Sequence, residues 1–197
     1  MQGKNQTVVD TFKKRIATKD YARVHPQLLL ITSQSAISSG NKPLAVDILA
    51  TLHARHPENT ETSILLSTLK IETGRLNEAT QIIKVTMKLS GRNASLLTNL
   101  AICHAERGSL EKAERIHEEI INNNPKEFLA YYNYGKFLAT IGEILSAKEL
   151  FQKCLQIKPN APEALDAIKQ IEPKGTAVSY THLRAHETRH DLVCRLL

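Results

Sequence analysis

The sequence predicts an all-α fold, in which four helix-turn-helix repeats and flanking helices stack into a solenoid. Three ladders of residues predict it. Gly40, Gly74, Gly108 and Gly142 recur at an interval of 34 residues, and Ala45, Ala79, Ala113 and Ala147 keep that interval. Pro57, Gly91, Pro125 and Pro159 form a third ladder in the same period. A constant period of this length marks a repeat architecture, whose units each have more apolar surface than they can cover alone.

The elements follow in chain order. Val8, Val9, Phe12 and Ile16 give residues 6–18 an apolar periodicity, expected to form a capping or half-repeat helix within an N-terminal segment, 1–25. Helix pairs are expected at 26–38 with 42–55, 60–72 with 76–89, and 94–106 with 110–122. In the next unit Tyr131, Tyr134, Leu138 and Ile141 form one stripe at three- and four-residue spacing. Gly142 ends that helix, because only glycine enters the left-handed cap conformation without cost. Leu150, Phe151, Cys154, Leu155 and Ile157 form the second stripe, and Pro162 can start a further helix running to about Ile171. The array therefore divides into 26–59, 60–93, 94–127, 128–161 and a partial 162–171, followed by a linker, 172–177. The alanines of the ladder mark where paired helices come closest, answered by Ser33, Ser67, Ala101 and Gly135 from the first helices. A larger side chain there should overpack, at about 1–3 kcal/mol.

The pattern resembles the tetratricopeptide repeat, W-x2-L-G-x2-Y followed by A-x3-F and P. Tyr131, Tyr134, Gly135, Leu138, Ala147, Phe151 and Pro159 occupy its places. One unit earlier they hold Leu97, Leu100, Ala101, His104, Ala113, His117 and Pro125; Leu66, Ser67, Ala79, Ile83 and Gly91, and Leu29, Ser33, Ala45, Leu49 and Pro57, fit more loosely. The pentatricopeptide family, with a period of about 35, fits less well. The resemblance implies a right-handed α-α superhelix whose first helices line a concave side. It also implies a non-catalytic scaffold that binds a protein or peptide there.

Asn99 and Asn133 stand one period apart, each just before a close-packed position. In similar repeats Asn at this place bonds the backbone of an extended peptide, for which a carboxamide suits as donor and acceptor. Ile31 and Leu65 replace it in the earlier units, while Gln34, Thr68, Ile102 and Lys136, three residues further on, should share the groove. The basic set with which some relatives clamp a C-terminal carboxylate is not assembled, so a chaperone is not the expected partner.

Composition narrows the rest. Hydrophobic residues make up 42% and charged residues 23%, as in a globular chain, while aromatics at 5% and the absence of Trp argue against base-stacking platforms. The net charge of +6 is scattered among acids, so no nucleic acid is expected. No run approaches the length of a membrane span and no signal peptide is evident, so the expected location is cytoplasmic. Neither G-x-S-x-G nor H-E-x-x-H nor a phosphate-cradling glycine loop occurs, so no catalytic residue or cofactor is assigned. His104 and His117 are expected to pack, as are Cys103 and Cys154.

His182, His186, His190 and Cys194 share a four-residue spacing that would align zinc ligands on a helix. However, residues 178–197 resemble the in-frame translation of sequencing-adapter DNA, so the segment is set aside from fold and metal reasoning. On that reading the natural frame continues differently past Thr176. The alternative function is then the N-terminal repeat module of a longer glycosyltransferase- or sulfotransferase-type enzyme.

Overall fold

A computed structural model describes residues 14, 15, 17, 18 and 20–171. Val8, Val9, Phe12 and Ile16 of the expected first helix, the 172–177 linker and the 178–197 tail lie outside the described residues. Among the described residues there is no strand. A 3-10 turn, Tyr21–Arg23, leads into α1 (Pro26–Ser38), α2 (Lys42–Arg55), α3 (Thr60–Glu72), α4 (Leu76–Ser90) and α5 (Ala94–Glu106). Then come α6 (Leu110–Asn123), α7 (Phe128–Thr140), α8 (Ile144–Ile157) and α9 (Pro162–Ile171).

Side chains start the first helix of each early pair. The N–H of Gln27 donates to His25 Nδ1 at 3.3 Å, that of Thr62 to Asn59 Oδ1 at 2.9 Å, and that of Ser95 to Asn93 Oδ1 at 2.9 Å. Such caps satisfy amides that the helix cannot, and each asparagine cap contributes about 0.5–2 kcal/mol. His25, Asn59 and Asn93 stand in the period of the glycines, a fourth ladder made of unlike residues.

The glycine ladder ends the same helices. At Gly74 φ is +71°, the N–H of Arg75 donates to Lys70 O at 2.8 Å, and that of Gly74 donates to Ile71 O at 2.9 Å. This crossed pair is the Schellman motif, which uses carbonyls the helix leaves open. Gly40, Gly108 and Gly142 carry the same pair of bonds. Gly91 belongs to the proline ladder yet has φ +87°, which proline cannot adopt, and α4 runs to Ser90 before it.

The described chain forms two compact units, one ending at Asn133 and one beginning at Tyr134. In the first, α1 with α2, α3 with α4 and α5 with α6 pack as pairs. Successive pairs join through α2 on α3, α4 on α5, and α3 directly on α5. The core is continuous with this order. Leu29, Ile48, Leu49 and Leu66 form one cluster, Ala79, Ile83, Leu96 and Cys103 the next, and Leu97, Ile120 and Ala130 a third. Each fully buried Leu or Ile contributes about 1.5–3 kcal/mol. Lys70 is buried and donates its ammonium to Glu78 at 2.7 Å, closing the α3–α4 turn. That bond holds the Glu78 carboxyl below the usual carboxylate range.

In the second unit α9 packs on α8. Gly135 of α7 lies so close to α8 that a Cβ there would fall 2.8 Å from Cε1 of Phe151. The small-residue register is thus a packing requirement: Ala45, Ala79, Ala113 and Ala147 are fully buried, as are Ser33, Ser67 and Ala101.

Candidate peptide-binding cleft

The structure puts Asn99 at the seam between neighbouring first helices. Its side-chain amide donates to Ser67 Oγ at 2.9 Å, to Thr68 Oγ1 at 3.0 Å and to Ile64 O at 3.3 Å. Asn99 is only 8% exposed, and two amide hydrogens are shared among three acceptors on α3. This corrects the expectation that its amide faces a ligand: Ser67 and Ala101 let α3 and α5 approach closely, and the carboxamide bridges them. The carbonyl oxygen of Asn99 takes no part in these three bonds.

The other expected groove residues divide. Asn133 is half-buried on α7, within the first unit. Thr68 is half-buried and already accepts from Asn99. Gln34 is exposed on α1 and donates to Glu61 Oε1 at 2.9 Å, so it too ties one first helix to the next. Ile102 is an exposed apolar residue of α5, and Lys136 is exposed on α7 in the second unit.

Asn99 and Asn133 line one cleft of about 330 Å³. Ser95 and Thr98 of α5 contribute to the same wall, Leu129 adds an exposed apolar surface, and Glu127 places a carboxylate at the α6–α7 corner. Amide and hydroxyl groups beside an apolar patch suit an extended backbone that carries one apolar side chain. A cleft of about 350 Å³ occupies the corresponding place two repeats earlier, lined there by His25, Gln27, Leu30, His56 and Glu61 among others. Thr98 is matched by Leu30 and Leu129 by Glu61, so the two clefts share a location and differ in chemistry.

One contact has the form of a nucleophile and base: His53 Nδ1 lies 3.0 Å from Ser63 Oγ. Ser63 is fully buried, and Thr86 Oγ1 occupies its other side at 2.7 Å while also donating to Pro57 O at 2.8 Å. No substrate carbonyl can reach that oxygen, and the network serves to join α2, α3 and α4. Cys103 and Cys154 are buried in their cores as expected; burial raises both thiols, Cys154 to about 11, which leaves them poor nucleophiles. Burial lowers His104, assisted by Lys112 and Arg107.

Residues 129–161 match the tetratricopeptide repeat family. Human tetratricopeptide repeat protein 6 is 32% identical over 89 residues, covering 45% of this chain and 17% of that relative's length. The chain therefore spans about a sixth of that relative. Among solved structures, a thermophilic tetratricopeptide repeat protein of Thermus thermophilus aligns with a TM-score of 0.68 at 16% identity, over 86% of this chain and 95% of that one. MamA of Desulfovibrio magneticus aligns with a TM-score of 0.57 at 14% identity, over 86% and 92%. Identities this low speak to the fold alone. No helix among the described residues is long and apolar enough to cross a membrane.

Proposed function

We propose, from the premise that this chain is built of tetratricopeptide repeats, that it captures an extended peptide segment of a partner protein in the cleft between α5 and α7. Its fold is that of a helical-repeat protein-interaction module, and the reading assigns it no chemistry of its own. The observation that carries the proposal is that Asn99 and Asn133, one period apart, line a single cleft. Asn133 supplies both donor and acceptor to the peptide backbone, Asn99 supplies its carbonyl oxygen, and Leu129 receives an apolar side chain. Because α5 is already braced against α3 through Asn99, little ordering accompanies binding.

The test uses peptides selected from a random library against the full chain. Asn133→Ala removes a backbone clamp from a half-buried position without touching the scaffold bonds of Asn99. It should weaken the selected peptides about three- to tenfold, the range of one or two neutral hydrogen bonds, with the melting temperature unchanged. Unaltered affinity in both Asn133→Ala and Leu129→Ala would remove the cleft from consideration. A steep loss of affinity with salt would point instead to a polyanion.

A further inference from the structure

The cleft of about 350 Å³ between α1 and α3 combines an apolar bed with acidic groups. Leu30, half-buried, and Leu52, 3% exposed, supply the bed. Glu58 and Glu61 line the same cleft, both exposed, and no Lys or Arg lines it. Elsewhere in this unit Glu72, Glu78 and Glu119 each hold a basic side chain, at 2.9 Å, 2.7 Å and 2.7 Å. Among the described residues neither Glu58 nor Glu61 is paired with a Lys or Arg; Glu58 Oε1 has only the ring of His56, at 3.4 Å.

Thr62 is the second observation. It lines the cleft and is 2% exposed, yet among the described residues its hydroxyl has no hydrogen-bond partner. Asn59 Oδ1, beside it, is already engaged by the N–H of Thr62 at 2.9 Å. A buried hydroxyl without a partner is costly, so the cleft favours a ligand that brings one. Glu61 is fixed for the same ligand, because Gln34 Nε2 of α1 donates to its Oε1 at 2.9 Å. Its Oε2 takes no part in that bond.

The occupant must therefore carry a hydrocarbon stem for Leu30 and Leu52, and a cationic donor for Thr62 and the carboxylates. Lysine and arginine side chains have that form. The position of the cleft says where such a side chain comes from. It lies two repeats before the cleft between α5 and α7, in the same unit. Neighbouring first helices pack about 8–10 Å apart, so about 16–20 Å separates the two clefts. Extended chain spans that distance in about five or six residues, at about 3.3 Å each.

We infer that the α1–α3 cleft receives a basic side chain, Lys or Arg, of the extended peptide held between α5 and α7. The inference rests on that peptide reading and adds the partner's chemistry. The stem lies on Leu30 and Leu52, and the charged tip donates to Glu61 Oε2 and Thr62 Oγ1. Glu58 adds a second negative charge beside it. The partner segment thus pairs an apolar residue, for Leu129, with a basic one about five or six residues away.

Peptides selected from a random library against the full chain should show that pairing. Glu61→Gln keeps an acceptor for Gln34 and removes the charge. It should weaken a selected peptide about three- to tenfold, with the melting temperature unchanged. Against the same peptide with its basic residue replaced by Ala it should have almost no effect, whereas Leu129→Ala should weaken both peptides alike. Thr62→Val, equal in shape, should also act on the basic peptide alone. Equal responses of the two peptides to Glu61→Gln and to Thr62→Val would overturn the inference. So would selected peptides without a basic residue; if Leu129→Ala still weakened them, the α5–α7 reading would stand. Silent Asn133→Ala and Leu129→Ala would remove that reading instead. The coupling between Glu61 and the basic residue then decides the pocket by itself, upholding it if present and overturning it if absent.

Discussion

His117 shows how one residue sets a pH dependence for the fold. Its counterparts in the period are Leu49, Ile83 and Phe151, all buried, and His117 is itself only 2% exposed. Burial lowers its pKa from 6.5 to about 4, because the imidazolium cannot be hydrated there. The unfolded chain therefore binds a proton that the folded chain refuses. Stability is full above pH 6.5, falls between about 6.5 and 4, and loses about 3 kcal/mol in all from this residue. Burial lowers His53 in the same direction, so the measurement is a difference. Urea midpoints of the wild type and of His117→Leu should converge at pH 7 or favour the variant slightly. They should diverge toward pH 4, with the variant the more stable, and parallel curves would contradict the assignment. The interval of 34 placed His117 in the core from sequence alone. It also located Asn99 and Asn133 but could not say which of them is open. Ser67 and Thr68, standing about one period before Asn99, were the available sign that its amide had acceptors within the fold.

At the scale of the element, the turn chemistry was legible and the caps were not. One glycine per period gives a Schellman ending, and the ends of α1, α3, α5 and α7 fall where it puts them. The starting caps repeat just as regularly, but through His25, Asn59 and Asn93, and identity alone does not connect an imidazole with a carboxamide. Helix pairing itself yields a prediction at Gly135. Alanine there gains about 1 kcal/mol in helix propensity. Its Cβ would also sit 2.8 Å from Cε1 and 3.0 Å from Cδ1 of Phe151, a ring 1% exposed with no room to withdraw. Overpacking of about 1–3 kcal/mol outweighs the propensity gain, so Gly135→Ala should lower stability by about 1 kcal/mol. Gly135→Ala combined with Phe151→Leu should recover part of that loss in the same denaturation assay. A simple sum of the two effects would separate α7 from α8.

At the scale of the whole chain, a helix pair in a repeat protein is stabilised by the neighbours it packs on, so truncations should act by what they uncover. Ala161 and Ala164 are fully buried at the start of α9, which packs on α8. Removing residues 162–197 takes that cover from α8 and should lower the melting temperature by several degrees. It should also shorten the exchange lifetimes of the α8 amides, because a repeat frays where its packing neighbour is stripped. Removing only 178–197 is a different cut. The glycine and alanine ladders stop before that segment, with Thr176 and Thr181 at the places they would occupy. A chain lacking it should melt at the same temperature, with the same helical signal per remaining ordered residue. If the shorter cut were the damaging one, the segment would be part of the fold, and the periodic ladder would no longer decide where the structure ends.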